Sequence, residues 1–194
     1  MKLILATKNR HKAEEISYIL GEGFTVVTQT DAGIDVDVIE DGDTFAANAI
    51  KKAVTVMSLT GLPVIADDSG LAVDALNGLP GVKTARYAGD SATDDQNIDK
   101  LLRVMSDVPG FRRGAKFVCV VALAIPGSHV ETFRGECPGR ILTECMGTGG
   151  FGYDPVFMPL EYGVSMAELP PQVKNAISHR GKAVRELAER LVSS

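Results

Sequence analysis

Two adjacent carboxylates, Asp67 and Asp68, directly follow the apolar run 62–66 (LPVIA) and precede Ser69 and Gly70. Placing charge behind a buried strand is costly unless something cationic compensates it. Successive residues of an extended chain point in opposite directions. One carboxylate is therefore expected to face a ligand while the other anchors the loop that follows. Hard oxygen ligands beside a serine suit Mg²⁺. Glu40, in the acidic segment 31–43, can supply a further oxygen ligand to such a site.

A second group is Thr7-Lys8-Asn9-Arg10-His11-Lys12, where the apolar run 2–6 stops and a helical pattern begins. A helix N-terminus attracts phosphate through its free N–H groups and its dipole. Thr7 and Asn9 add neutral donors, and Lys12 brings a point charge one turn into the helix. The segment lacks the G-x-x-x-x-G-K-[ST] pattern of a P-loop. A third group joins Gly149-Gly150-Phe151-Gly152-Tyr153-Asp154 to Lys174 and Ser178-His179-Arg180. Glycines permit close backbone approach, an aromatic ring can stack on a base, and Lys174, His179 and Arg180 supply donors.

The elements that must carry these groups follow from periodicity. Residues 2–6 read as a strand, and Ala13, Ile16, Ile19 and Leu20 as the face of a helix closed by Gly21 and Gly23. Residues 24–28 read as a second strand. Asp43 or Thr44 caps a helix with the apolar face Phe45, Ala49, Ala53 and Val56, ended by Gly61. A strand over 62–66 leads into the acidic pair, and a Gly/Pro-rich loop covers 77–90. Thr93 and Gln96 form a capping box before the stripe Ile98, Leu101, Leu102 and Met105. Residues 117–125 are apolar throughout, as in a strand buried on both faces. The run 130–134 alternates, and a last helix carries Ala183, Leu187 and Leu191. Early strand–helix alternation followed by a hairpin predicts an α/β fold with a mixed sheet, in a single domain over 1–194.

Composition excludes several classes. The 194 residues carry a formal net charge of −5, which disfavours generic nucleic-acid binding. Cys119, Cys137 and Cys145 are odd in number without C-x-x-C spacing, so a reducing compartment without structural disulfides is expected, with Cys119 in the core. The scattered histidines His11, His129 and His179 offer no zinc pattern. No apolar run is long enough to span a membrane, and the first residues lack a signal-peptide pattern. A cytoplasmic protein is expected.

Taken together, the stretches LATKNRHKAEE, EDGDTFAANAIKKA, IADDSGLAVDALNGLPGVKTARYAG, GTGGFGYDPVF and AISHRGKA closely resemble the inosine triphosphate pyrophosphatase family. The resemblance covers almost the whole chain. It implies an elongated mixed sheet with flanking helices, two lobes around a central cleft, and a homodimer. It implies hydrolysis of ITP, dITP and XTP to the monophosphate and pyrophosphate. By resemblance, Thr7, Lys8, Asn9, Arg10, His11 and Lys12 cradle the triphosphate. Glu40 and Asp68 hold Mg²⁺, Asp68 is also the proton acceptor, and Ser69 contacts substrate. Phe151, Gly152, Tyr153, Asp154, Lys174, His179 and Arg180 form the base pocket. Lys8 departs from the family pattern, where glycine is common. A nucleotide-binding regulator without catalysis could use the same loop and pocket, but several carboxylates contribute little to polyanion binding unless a metal is present. A pyrophosphatase for modified pyrimidine triphosphates is the other enzymatic alternative.

Overall fold

The computed structural model describes residues 2–193. Six strands form one sheet: β1 (Lys2–Leu5), β2 (Thr25–Thr28), β3 (Val64–Val73), β4 (Gly114–Ala124), β5 (Glu131–Ile141) and β6 (Phe157–Pro159). Their order is β2-β1-β3-β4-β5-β6. β1 pairs in parallel with β2 and β3, whereas β5 and β6 are antiparallel, so the sheet is mixed as expected. The helices are α1 (Arg10–Leu20), α2 (Phe45–Thr60), α3 (Asp94–Val104), α4 (Pro171–Ile177) and α5 (His179–Val192).

The chain divides into two compact units that interleave along the sequence. Unit 1 comprises Met1–Asp68, Cys119–Gly135 and His179–Ser194; unit 2 comprises Ser69–Val118 and Glu136–Ser178. In unit 1 the side-chain alternation of the strands sorts residues onto two faces. Leu3, Leu5, Ile65, Cys119, Val121 and Leu123 pack with Ala13, Ile16 and Leu20 of α1 and with Ala183, Val184 and Leu187 of α5. The alternate residues Ile4, Ala6, Val64, Ala66, Val120, Ala122 and Ala124 pack with Ala49, Ala53 and Val56 of α2. Burying both faces explains why 117–125 reads as apolar throughout. Unit 2 has its own core, in which Leu71, Val73, Phe117 and Ile141 meet Ile98, Leu101 and Met105 of α3, together with Tyr153, Phe157 and Met166. Buried Arg113 donates to the carbonyls of Met105, Val108, Ile141 and Leu142, a side-chain cap for the end of α3.

The predicted caps are present. Thr44, rather than Asp43, caps α2 by accepting from the Ala47 N–H at 3.1 Å. Thr93 and Gln96 form the reciprocal capping box of α3. Two strands run further than expected. β3 does not end at Ala66 but continues through Asp67, Asp68, Ser69 and Gly70 to Val73, and β5 reaches Ile141 instead of stopping near residue 134. Helix α4, opened by Pro170 and Pro171 and 7 residues long, is too short for periodicity to mark.

Candidate functional site

Because β3 runs straight through the acidic pair, strand geometry decides where each carboxylate points. Asp67 shares the face of Ile65, toward α1 and α5; Asp68 shares the face of Ala66, toward α2. Their partners follow. The Asp67 carboxylate meets Lys12 of α1 at 3.0 Å and Arg180 of α5 at 3.3 Å, and Arg180 reaches Glu15 of α1 at 2.5 Å. Glu15, Arg180, Asp67 and Lys12 thus alternate in sign along one buried chain. Burial pushes the Asp67 carboxyl upward, but Lys12, Arg180 and Lys52 outweigh it and hold the group well below the ordinary carboxylate range. Burial opposes the charge of Arg180 too, yet Asp67 and Glu15 keep it firmly protonated.

The surroundings of Asp68 are different. Asn48 of α2 donates to its Oδ2 at 3.0 Å, and Lys52, one turn further along α2, lies 3.8 Å from its Oδ1. Lys52 also binds Glu40 at 2.7 Å. Burial, with Glu40 adding to it, pushes the Asp68 carboxyl above its usual value; Lys52, Asn48 and Lys12 offset only part of this. Burial lowers the Lys52 ammonium, but Asp67, Asp68 and Glu40 raise it on balance. Among the described residues no group of three or more His, Cys, Asp or Glu side chains converges to hold a metal. The arrangement present is two carboxylates, Asp68 and Glu40, around one ammonium.

Of the segment Thr7 to Lys12, Lys12 reaches the acidic pair on β3. Thr7 accepts from the Asn9 N–H, and Asn9 caps α1 by accepting from the Lys12 N–H, each at 3.1 Å. Lys8 turns to Asp35 and Asp37 on the exposed side, Arg10 pairs with Glu14, and His11 is exposed. The acidic pair belongs to unit 1, whose first segment ends at Asp68.

In unit 2, Asp154 organises the glycine-rich loop. Its Oδ2 accepts from the Phe151 N–H at 2.9 Å and from Lys174 of α4 at 2.6 Å. The same Lys174 ammonium lies 4.7 Å from the centroid of the Phe151 ring, within cation–π reach. Gly152 donates to Asp94 at 2.7 Å, and the Tyr153 hydroxyl donates to the Thr84 carbonyl at 3.0 Å. Gly150 has φ +73°, and a Cβ there would sit 2.1 Å from the Asp154 carboxylate, so this turn requires glycine. His179 and Arg180 belong to unit 1, immediately after Ser178 closes unit 2. There the His179 carbonyl would lie 2.0 Å from any Cβ at Gly135. The structure therefore groups Phe151, Gly152, Tyr153, Asp154 and Lys174, and places Arg180 with Asp67 and Glu15.

The Ham1 family model matches residues 3–190. The chain belongs to the Ham1 family. Within the family it is 50% identical over 191 residues to a protein of Geobacter sulfurreducens named dITP/XTP pyrophosphatase, covering 98% of this chain and 96% of that one. It is similar to a HAM1 protein from Coxiella burnetii, with a TM-score of 0.91 at 40% identity and all of both chains covered. It is likewise similar to the Staphylococcus aureus Ham1 protein, with a TM-score of 0.90 at 37% identity over 100% of this chain and 99% of that one. The resemblance carried by the sequence motifs thus holds at the level of family and of fold.

Three participants escape a reading of motifs in the Ham1-family chain: Asn48, Lys52 and Glu15. Asn48 and Lys52 stand four residues apart beside the apolar stripe of α2, and this spacing puts them on one helix face. An asparagine one turn before a lysine, flanking the apolar face, is the available signal. Glu15 carries none, since an acidic residue on an amphipathic helix reads as solvated surface.

Proposed function

We propose that the chain hydrolyses the deaminated purine nucleoside triphosphates dITP, ITP and XTP to the monophosphate and pyrophosphate. The observation that carries this reading is the division of the acidic pair on β3. Asp67 is neutralised by Lys12 and Arg180, whereas Asp68 stands beside Asn48, Lys52 and Glu40 with its negative charge only partly compensated. This division occurs in a chain half identical to an enzyme named dITP/XTP pyrophosphatase.

Mg²⁺ is the cofactor we assign to Asp68 and Glu40. Their oxygens are hard donors, they already share one cation in Lys52, and Mg²⁺ commonly takes one or two carboxylates with phosphates and waters completing its shell. When bound, the ion neutralises triphosphate charge and acidifies water. The chain's own groups do the rest. Asp68, with its carboxyl raised by burial, accepts a proton from the water that attacks the α-phosphorus. The bond from that phosphorus to the bridging oxygen breaks, and pyrophosphate leaves with the bond's electrons. Lys12 and the N-terminus of α1, with Thr7, Lys8, Asn9, Arg10 and His11 around it, offer positive charge and N–H donors to the phosphates. Ser69 follows Asp68 as a further polar contact.

For the base, Phe151 offers a stacking face and Gly152 a close backbone approach, with Tyr153 and Asp154 fixing the loop and Lys174 as donor. A donor at that edge suits the 6-oxo group of hypoxanthine and xanthine and opposes the 6-amino group of adenine. His179 and Arg180 complete the proposed nucleotide contacts. The hold of Asp67 and Glu15 on Arg180 makes that residue a counter-ion before it is a base donor. We extend the proposal to a homodimer, as the motif resemblance implies, and to the cytoplasm, as the odd cysteines without C-x-x-C spacing suggest; no described helix is long and apolar enough to cross a membrane, and the net charge of −5 disfavours nucleic acid.

Hydrolysis of XTP in ¹⁸O-water with Mg²⁺ tests the bond cut. Label in the monophosphate, with unlabelled pyrophosphate as coproduct, is expected. Orthophosphate and a diphosphate as primary products would overturn the reading.

A further inference from the structure

Asn48 is fully buried, and both ends of its amide are engaged. The Gly42 N–H donates to Asn48 Oδ1 at 2.8 Å, and Asn48 Nδ2 donates to Asp68 Oδ2 at 3.0 Å. A backbone N–H can only donate, so the oxygen must face Gly42 and the NH₂ must face the carboxylate. The amide orientation is fixed by chemistry. Gly42 lies two residues after Glu40 and one after Asp41, and Asp41 is itself tied to Lys51 of α2 at 2.7 Å. The contact with Gly42 is also tight. A Cβ at Gly42 would lie 2.7 Å from Asn48 Oδ1 and 2.9 Å from the Ala47 Cβ, and the amide cannot yield without leaving Asp68.

We propose that Asn48 is a positioning residue that locks the Asp68 carboxylate and the Glu40–Gly42 loop into one geometry. Its bond to Oδ2 directs that oxygen away from the reaction and leaves Oδ1, on the Lys52 side, for the proton and the cation. Its bond to Gly42 sets the distance of Glu40 from that same oxygen. This inference rests on the reading of Asp68 as the catalytic carboxylate. A hydrogen bond to a charged group, once lost, corresponds to about a ten- to hundredfold change.

Three variants test it: Asn48→Ala, which loses both bonds, Asn48→Asp, which keeps an acceptor for Gly42 but sets a second carboxylate against Asp68, and Gly42→Ala, which pushes on the amide from outside the core. Each is measured for kcat and KM with XTP, and for amide hydrogen exchange at Gly42 without nucleotide or metal. We expect kcat to fall about ten- to hundredfold in Asn48→Ala and at least as far in Asn48→Asp, with KM within about threefold. Gly42 exchange should accelerate at least about tenfold in Asn48→Ala and stay slow in Asn48→Asp. Should Asn48→Ala fail to fold, Gly42→Ala carries the test, with a several-fold loss of kcat expected at unchanged KM. Wild-type kcat in folded Asn48→Ala or Gly42→Ala, or unchanged Gly42 exchange in Asn48→Ala, overturns the positioning role. Asp68→Asn separates the two claims: if it is inactive while Asn48→Ala turns over normally, only the inference about Asn48 fails. If Asp68→Asn retains activity, the reading of Asp68 fails first.

Discussion

The two aspartates of β3 should respond in opposite ways to the same substitution. Asp67→Asn removes the carboxylate that joins Lys12 and Arg180, whose side chains are 16% and 3% exposed. Glu15 is then left to compensate Arg180, and Lys12 loses its 3.0 Å partner. Breaking a buried pair from one side costs about 3–5 kcal/mol. Unfolding entropy near 60 °C is about 2.1 cal/mol/K per residue, so for a chain of this size such a loss lowers Tm by about 10 °C. Asp68→Asn removes a carboxylate that burial disfavours on balance, so Tm should hold or rise. Turnover, however, should drop about a hundredfold or more, the scale of losing one key electrostatic group. Scanning calorimetry and kcat with XTP on both variants give the comparison. An Asp68→Asn protein that melts as early as Asp67→Asn and still turns over normally would refute the division of labour.

Three other outcomes follow from the same geometry. Lys12→Ala should reduce kcat/KM for XTP, dITP and ATP by similar factors, about ten- to a hundredfold, because the role proposed for Lys12 is toward phosphates common to all; a changed base ratio in steady-state kinetics would contradict that role. Phe151→Ala should weaken calorimetric binding of inosine monophosphate by about fivefold or more, the low end of base–aromatic stacking, while leaving pyrophosphate binding unchanged. Asp67 is held below the ordinary carboxylate range when folded, so the stability it confers is complete above its unfolded value of about 4 and is lost as pH falls beneath it. The Tm of wild type should therefore fall more steeply than that of Asp67→Asn between about pH 4 and pH 2, and parallel curves would remove Asp67 from the account.

Strand periodicity alone predicts that Asp67 and Asp68 face opposite ways, and the structure bears this out. It does not predict that β3 continues through them, because Asp-Asp-Ser-Gly has the composition of a loop. The strand persists because cations arrive from distant elements: Arg180 lies 113 positions away, and a separation of that size leaves no local trace. Caps are different. Thr44 and the Thr93/Gln96 box act within three residues, and both are readable from spacing. Phe151 to Asp154 stands out by its glycines, whereas the hold of Lys174 on Asp154 depends on α4, a helix of 7 residues that opens on Pro171 and is too short for periodicity to mark. For Lys8 the sequence leaves a phosphate contact and a solvent-facing position both open, and its ammonium stands beside Asp35 and Asp37, partners that local spacing does not mark.

The proposed activity is Mg²⁺-dependent hydrolysis selective for 6-oxo purines lacking a 2-amino group. The measurement that meets it most directly is kcat/KM for dITP, XTP, dGTP and ATP on one preparation at saturating Mg²⁺, with pyrophosphate as the readout. Values for dITP and XTP are expected at least about a hundredfold above those for dGTP and ATP, with no turnover once the metal is chelated. Equal values across the four nucleotides, or pyrophosphate release that persists in chelator, would contradict it.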